Sequence, residues 1–163
     1  MKRLLFAALA FSALLIIGCK EQDSKKPAIN EIGAIFPKDE LDPAENFTGK
    51  AWHTALVADD STYNTLVGNV YFQPGAGSNW HIPPAGQLLI ITDGVGYYPE
   101  KGQARRTLRK GDVIKCPPNI MHWHGASTDT GMQQLYILPK TEKGIVQWLQ
   151  PVTDEEYNNA VKE

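Results

Sequence analysis

The chain has 163 residues, of which 42% are hydrophobic, and its formal net charge is -2 at pH 7. A chain of this size forms one globular domain whose core is large enough to fold without disulfides. The slightly acidic balance indicates no nucleic-acid partner. Two cysteines, Cys19 and Cys116, do not make a disulfide framework. Cys116 is expected to be a small buried hydrophobic residue.

The first eighteen residues form a segment of their own. Lys2 and Arg3 give a basic start, and residues 4–17 carry no charge. An apolar run of this length is short for a membrane-spanning helix, which needs roughly 20 residues. Residues 1–18 are therefore predicted to be an export signal peptide.

The end of this segment resembles a bacterial lipobox. Residues 16–19 read Ile-Ile-Gly-Cys, and in a lipobox the cysteine is diacylated and becomes the first residue after cleavage. The resemblance implies a lipid anchor on Cys19 and a place in the bacterial cell envelope. Lys20 favours the outer membrane, since some bacteria retain lipoproteins at the inner membrane through an aspartate at this position. The alternative is an uncleaved signal anchor.

Three further segments follow the predicted signal peptide. Residues 19–45 lack a sustained hydrophobic period and are expected to be a tether with a partly docked end. Residues 46–150 hold short apolar runs divided by turn residues, which is typical of an all-β sandwich or barrel. Residues 151–163 are predicted to hold a short C-terminal helix, because Thr153 and Glu156 have the spacing of a capping box.

Eight strands are predicted within the all-β segment, and closure into a barrel would hide their edges. They are Ala51–Val57, Leu66–Phe72, Leu88–Thr92, Gly96–Pro99, Arg105–Leu108, Asp112–Cys116, His122–Ala126 and Gln133–Leu138.

Histidines cluster in two short segments of this region. His81 lies in one segment, and His122 and His124 lie in the other. Because successive residues of a strand face opposite sides, His122 and His124 share one face while Trp123 takes the other. We expect Trp80 and Trp123 to pack outward from the pocket. Imidazole nitrogens suit Mn, Fe, Ni, Cu and Zn, so the cluster indicates a site for a metal or a substrate.

These segments resemble the two motifs of the cupin superfamily. The resemblance implies a single cupin barrel that forms a homodimer. Motif one is matched by Gly75, His81, Gln87 and Gly94, and motif two by Gly111, Pro117 and His122.

Gln87 and the His122-Trp123-His124 sequence are similar to those of a subgroup that includes manganese-dependent cupin hydroxynitrile lyases. That likeness implies that His81, Gln87 and His122 bind one divalent transition metal, Mn, Fe, Ni or Zn. It implies that His124 is the catalytic base.

One departure from the family pattern weakens this ligand set. Pro83 stands where the second histidine of motif one is found, and its ring can neither coordinate a metal nor donate a backbone hydrogen bond. Two residues could replace the missing ligand: His124, by turning toward the metal, or His53, which lies on the first predicted strand of the barrel.

The sequence therefore allows two functions. The first is an exported, lipid-anchored, metal-dependent enzyme of lyase, oxygenase or isomerase type. It would act on a small oxygenated organic molecule, with His124 as acid or base. The second is a non-catalytic cupin that binds a small ligand at a degraded metal site, and Pro83 is the residue that favours it.

Overall fold

The structure is a computed structural model, and it describes residues 32–33 and 35–158. The predicted signal peptide, residues 1–18, and the predicted lipidation site, Cys19, lie outside the described residues. Among the residues that are described, no helix is both long and apolar enough to span a bilayer.

The described chain is almost entirely β-structure and has one short α-helix, as expected. A main sheet with the strand order β1-β3-β4-β11-β7-β10-β5-β2 curls on itself, β8 and β9 also pair with β7, and β12 pairs with β6. The strands are β1 Glu40–Leu41, β2 Phe47–Thr48, β3 Ala51–Val57, β4 Thr65–Phe72, β5 Gly77–Ser78, β6 His81–Ile82, β7 Gln87–Tyr98, β8 Arg106–Arg109, β9 Val113–Cys116, β10 Gly125–Ala126, β11 Met132–Pro139 and β12 Gln147–Trp148, with a 3-10 turn at Thr141–Lys143 and helix α1 at Asp154–Asn158.

Strand β7 corrects the prediction of two separate strands at Leu88–Thr92 and Gly96–Pro99. It runs without a break for twelve residues and pairs first with β9 and then with β8. The bend between its halves lies at Gly94, whose φ is 82°. Asp93-Gly94 has the composition of a turn, but here the glycine lets one long strand pass from one layer of the fold to the other.

The predicted strand His122–Ala126 is also corrected. Only Gly125–Ala126 belongs to a regular strand. His122 instead makes isolated antiparallel bridges with His81 and with Glu100. His122 is therefore held by contacts with distant segments and not by the hydrogen-bond ladder of a continuous strand.

The core fills the space inside the curled sheet. The first half of β7 sends alternate residues inward, since the buried Leu89 and Ile91 flank the half-buried Ile90. Cys116 is buried, as expected, and has no disulfide partner among the described residues. Within the stretch predicted as a tether, β1 pairs with β3 at the edge of the sheet.

Helix α1 begins with the expected capping box. The Glu156 backbone N–H donates to Thr153 Oγ1 and the Thr153 N–H donates to Glu156 Oε2, each at 3.1 Å. The helix packs outside the barrel, where Tyr157 stacks on Trp123 at 5.5 Å between ring centroids. Trp80 donates its indole N–H to Glu156 at 3.0 Å. Both tryptophans thus pack away from the histidine cluster, as predicted.

Candidate metal centre and ligand cavity

A backbone bridge joins the two histidine segments. The His81 N–H donates to the His122 carbonyl at 2.9 Å, and the His122 N–H donates to the His81 carbonyl at 3.0 Å. This antiparallel pair brings the two imidazole centroids to 4.3 Å from each other. One atom from each of His81, His122 and His124 lies within 4.8 Å of the others, so these three side chains could hold a metal ion together.

Gln87 reaches the same point from the first position of β7. The turn before it, from Pro83 to Gly86, closes through the Gly86 N–H and the Pro83 carbonyl at 3.1 Å. Gly86 has a φ of 85°, and a Cβ there would lie 2.8 Å from the Cys116 carbonyl oxygen. Glycine at this position therefore lets the turn lie against β9 and direct Gln87 inward.

The hydrogen bonds of His81, His122 and Gln87 leave an arrangement of atoms that suits a cation. His81 Nδ1 lies 3.0 Å from the Asn79 carbonyl oxygen, and His122 Nδ1 lies 3.0 Å from that of Ile120. A carbonyl can only accept, so each Nδ1 carries the hydrogen and each Nε2 keeps a lone pair. Gln87 Oε1 lies 3.4 Å from Nε2 of His81 and 3.0 Å from Nε2 of His122. Three lone pairs converge here, and a divalent ion would turn their repulsion into coordination.

His124 has the opposite hydrogen-bond arrangement. Its Nδ1 lies 2.9 Å from Gln134 Nε2. An amide nitrogen donates, so Nδ1 is the acceptor and the hydrogen of the neutral ring is on Nε2. Within the described residues, His124 Nε2 is buried and has no hydrogen-bond partner. In this arrangement His124 presents a proton, whereas His81 and His122 present lone pairs.

Burial keeps all three imidazoles neutral at physiological pH. Desolvation lowers the pKa of His81, and the hydrogen bonds with Asn79 and Gln87 oppose this effect only in part. Desolvation and then the proximity of His81 lower the pKa of His122 to about 3. The pKa of His124 falls well below its usual value for the same reasons, with His122 adding to the effect. Neutral imidazole is the form that binds metal ions.

In the described part of the chain, the structure brings no ligand to the position where motif one of the family has its second histidine. Pro83 is buried in the turn beside the cluster, and its side chain offers no ligand. His53 does not join the three histidines. Its Nδ1 lies 2.8 Å from Asp42 Oδ1 and its Nε2 lies 3.4 Å from Glu40 Oε2, so carboxylates face both ring nitrogens. Of the two replacement ligands considered, only His124 has a position beside His81 and His122.

An apolar cavity of about 370 Å³ opens next to the cluster. His124 lines it, and the Phe72 ring packs edge-on against that imidazole at 5.9 Å. Polar groups enter the wall at Asp42 and His53. Its apolar lining consists of Phe47, Leu66, Val70, Leu138, Ile145, Val146 and Trp148. The space suits a small organic molecule whose body is apolar.

Sequence reasoning missed two residues of this site. Gln134 fixes the hydrogen of His124, and the signal for it was a pair of glutamines, Gln133 and Gln134, inside an otherwise apolar strand. Asp42 lies in the stretch predicted as a tether. Nothing in its local sequence distinguishes it from other loop aspartates, because its partner His53 comes from a different strand.

Comparison with known proteins agrees with the fold and the motifs. Residues 68–138 match the family model described as a cupin domain. The chain is 37% identical over 115 residues to an (R)-mandelonitrile lyase of Granulicella tundricola, which covers 71% of this chain and 88% of the relative.

Among solved structures, a cupin-like protein of Thermotoga maritima is 43% identical, with a TM-score of 0.76 over 78% of this chain and 97% of its own. The DMSP lyase DddQ of Ruegeria pomeroyi is 18% identical with a TM-score of 0.54, covering 67% of this chain and 54% of its own, and shares the fold. The motifs, the curled antiparallel sheet and these matches together establish that the chain belongs to the cupin family.

Proposed function

We propose that this cupin is a metal-dependent enzyme that acts on a small oxygenated organic molecule and uses His124 to transfer a proton. The observation that carries the proposal is the convergence of two imidazole Nε2 atoms and one amide oxygen beside an apolar cavity. His81, Gln87 and His122 would hold one divalent ion, Mn, Fe, Ni or Zn. When bound, such an ion supplies Lewis-acid polarisation of a substrate oxygen.

His124 is the residue that would transfer the proton. Gln134 holds its ring so that the Nε2 hydrogen is free of protein partners among the described residues. The surrounding apolar side chains exclude water, which strengthens any hydrogen bond that His124 makes to a substrate oxygen. Rotation of the Gln134 amide would let its unpartnered Oε1 accept the His124 Nδ1 hydrogen. His124 Nε2 could then take the proton of a substrate hydroxyl and give it to the leaving group, which returns His124 to its starting protonation state.

The mandelonitrile lyase relative suggests the first assay. Mandelonitrile is a small oxygenated molecule with an aromatic body, which suits a cavity lined by Phe47 and Trp148. Cleavage of mandelonitrile is therefore the reaction to measure first, with the release of benzaldehyde as the signal. His124→Ala should lower turnover by roughly 100-fold or more while the metal stays bound, since removal of a general acid or base removes 10²–10⁴-fold in rate.

Metal analysis is the decisive test. Protein purified without chelator should contain, or take up, close to one equivalent of Mn, Fe, Ni or Zn, and His81→Ala and His122→Ala should lose it. His53→Ala is the matched control and should keep it. Protein that neither contains nor takes up any of these metals would overturn the proposal.

Pro83 favours a second candidate function, a non-catalytic cupin that binds a small ligand at a degraded metal site. Pro83→His tests it, because the turn contacts of Pro83 use its carbonyl and survive the substitution. A gain of roughly 10- to 100-fold in metal affinity, the scale of ligand-shell changes, together with new turnover would favour this second function. Unchanged affinity would mean that the natural site is already complete.

We also propose that the chain is anchored in the bacterial cell envelope through lipidated Cys19, with the outer membrane favoured, and that it forms a homodimer. The lipobox supports the first and the family resemblance the second. Cys19→Ala should move the protein from the membrane to the soluble fraction of fractionated cells, and sedimentation would establish the oligomeric state. An unchanged membrane fraction would contradict lipid anchoring.

A further inference from the structure

A second polar centre lies in the wall of the cavity and involves none of the three clustered histidines. Asp42 comes from the loop between β1 and β2, and His53 lies on β3. Asp42 Oδ1 is 2.8 Å from His53 Nδ1, and Glu40 Oε2 is 3.4 Å from His53 Nε2. The two carboxylates differ in exposure, because the side chain of Asp42 is 7% exposed and that of Glu40 is 75% exposed.

Asp42 is not satisfied by its neighbours. Among the described residues, its Oδ2 is buried and has no hydrogen-bond partner, and the approach to His53 Nδ1 is close without the geometry of a hydrogen bond. Burial raises the pKa of Asp42, the proximity of His53 lowers it and Glu40 raises it again. A buried carboxylate oxygen without a donor is costly, and a donor supplied by a ligand would remove that cost.

We propose that Asp42, with His53 beside it, recognises a hydroxyl group on the molecule that binds in this cavity. The inference rests on the proposed function in that it assigns the same cavity to the substrate. It adds a substrate class: an apolar or aromatic body that carries one oxygen function for the histidine cluster and a second, hydroxyl function for Asp42.

A neutral hydroxyl fits this place better than a protonated amine. The wall beside Asp42 and His53 is built from apolar side chains such as Leu66 and Val70, and burial of another charge there would carry a large desolvation cost. A hydroxyl donates one hydrogen bond to Asp42 Oδ2 and brings no charge. Tyr136 also lines this part of the cavity, and burial, followed by the proximity of Asp42, raises its pKa, so its phenol stays neutral.

Calorimetric titration with matched aldehydes tests this assignment. The probes are 3- and 4-(hydroxymethyl)benzaldehyde and their methoxymethyl counterparts, which keep the ring and the aldehyde but cannot donate. The full chain, Asp42→Asn and Asp42→Ala are titrated with and without Mn²⁺. The exposed Asp39→Asn is the control for loss of one carboxylate near the site.

Wild-type protein should prefer at least one hydroxymethyl probe over its methoxymethyl counterpart by about tenfold, the effect of one hydrogen bond to a charged acceptor. Asp42→Ala should reduce that preference to near unity, Asp42→Asn should weaken it, and Asp39→Asn should keep it. The His53 ring resonances should shift with the hydroxymethyl probe and stay in place with the methoxymethyl probe.

Equal affinity of the wild-type protein for the hydroxymethyl and methoxymethyl probes would overturn the assignment, as would a preference that survives in folded Asp42→Ala or the absence of binding by every probe. If Asp42→Ala does not fold, the preference of the wild-type protein and the His53 resonances test the assignment instead. Failure of the proposed function has a different result: the hydroxymethyl preference persists, while Mn²⁺ changes neither affinity nor turnover.

Discussion

The three clustered histidines differ in which ring nitrogen carries the hydrogen, because their hydrogen-bond partners differ. His81 and His122 each give their Nδ1 hydrogen to a backbone carbonyl, which leaves Nε2 free to coordinate. His124 accepts at Nδ1 from the Gln134 amide and so carries its hydrogen on Nε2. Side chains of one type, all buried, thus present a lone pair or a hydrogen at Nε2 because their partners differ.

Replacement of Gln134 tests this division. Gln134→Leu removes the donor to His124 Nδ1, so we expect turnover to fall roughly tenfold, the lower end of the effect of removing a partner that orients a functional side chain. The metal content should not change. Gln134→Glu should reverse the tautomer, because a carboxylate accepts the Nδ1 hydrogen and frees the His124 Nε2 lone pair to act as a fourth ligand.

Turnover and metal affinity measured on the same samples distinguish these outcomes. Gln134→Glu should bind metal more tightly than wild type and turn over more slowly. If both variants retain wild-type turnover, Gln134 does not set the state of His124.

At the level of elements, β7 carries Gln87 at its first position and crosses the fold. The strand runs between β9 and β11 in its first half and contacts β8 and β10 in its second. Gly94 makes the passage possible, since a Cβ there would lie 1.9 Å from the Gly131 carbonyl oxygen. Helix α1 supports the other side of the site, where it covers Trp123 between the two motif-two histidines.

Substitution at the bend should therefore be costly. Gly94→Ala combines a φ of 82° with a backbone clash, and we expect it to destabilise the protein by about 2–4 kcal/mol. Gly102→Ala is the matched control, because Gly102 has a φ of 81° with open space around it. Its expected cost is about 1 kcal/mol, from conformation alone. Urea unfolding of the two variants measures the difference, and equal values would contradict the role of the clash.

The contacts of α1 should weaken in acid. Burial would raise the pKa of Glu156, but hydrogen bonds from Lys101, Trp80 and the Thr153 backbone lower it to about 2. Because the folded-state value lies below the unfolded one, Glu156 stabilises the fold above about pH 4.5, and this contribution is lost as the pH falls from 4.5 toward 2. The contribution should stay below about 1 kcal/mol, since the carboxylate is partly exposed.

Glu156→Gln measures this contribution. The difference in unfolding free energy between wild type and Glu156→Gln should be largest near neutral pH and should shrink toward zero as the pH approaches 2. Glu45→Gln, an exposed glutamate in the β1–β2 loop, is the control. A difference that stays constant between pH 7 and pH 3 would contradict the assignment.

On the scale of the whole molecule, the curled sheet assembles a site from segments distant in the chain. Gln87 and His122 are 35 positions apart. The bridge between His81 and His122 ties the two motifs together, and His124 of the same cluster lines the cavity. Such a site exists only in the folded chain, so binding of a metal there stabilises the fold.

Thermal unfolding should therefore depend on metal. Mn²⁺ at about 100 times its Kd should stabilise wild-type protein by about 2.7 kcal/mol and raise the Tm accordingly. His122→Ala should abolish this shift, while His53→Ala should keep it, because carboxylates face both His53 nitrogens. A shift that persists in His122→Ala would place the metal elsewhere than the three-histidine cluster.

The sequence by itself determined the all-β class, the two histidine segments and the capping box of α1. These depend on local periodicity and spacing, which the chain expresses without long-range contacts. The sequence could not distinguish a turn between two strands from a bend within one strand at Gly94, since both use a glycine with positive φ.

Only the tertiary structure decided which polar groups meet. It placed His124 beside the two other histidines and gave it Gln134 as a partner, and it paired His53 with Asp42. The physical reason is that these partners, apart from His122 and His124, belong to different elements of the fold. Their geometry follows from the order and curl of the strands, which no local pattern encodes.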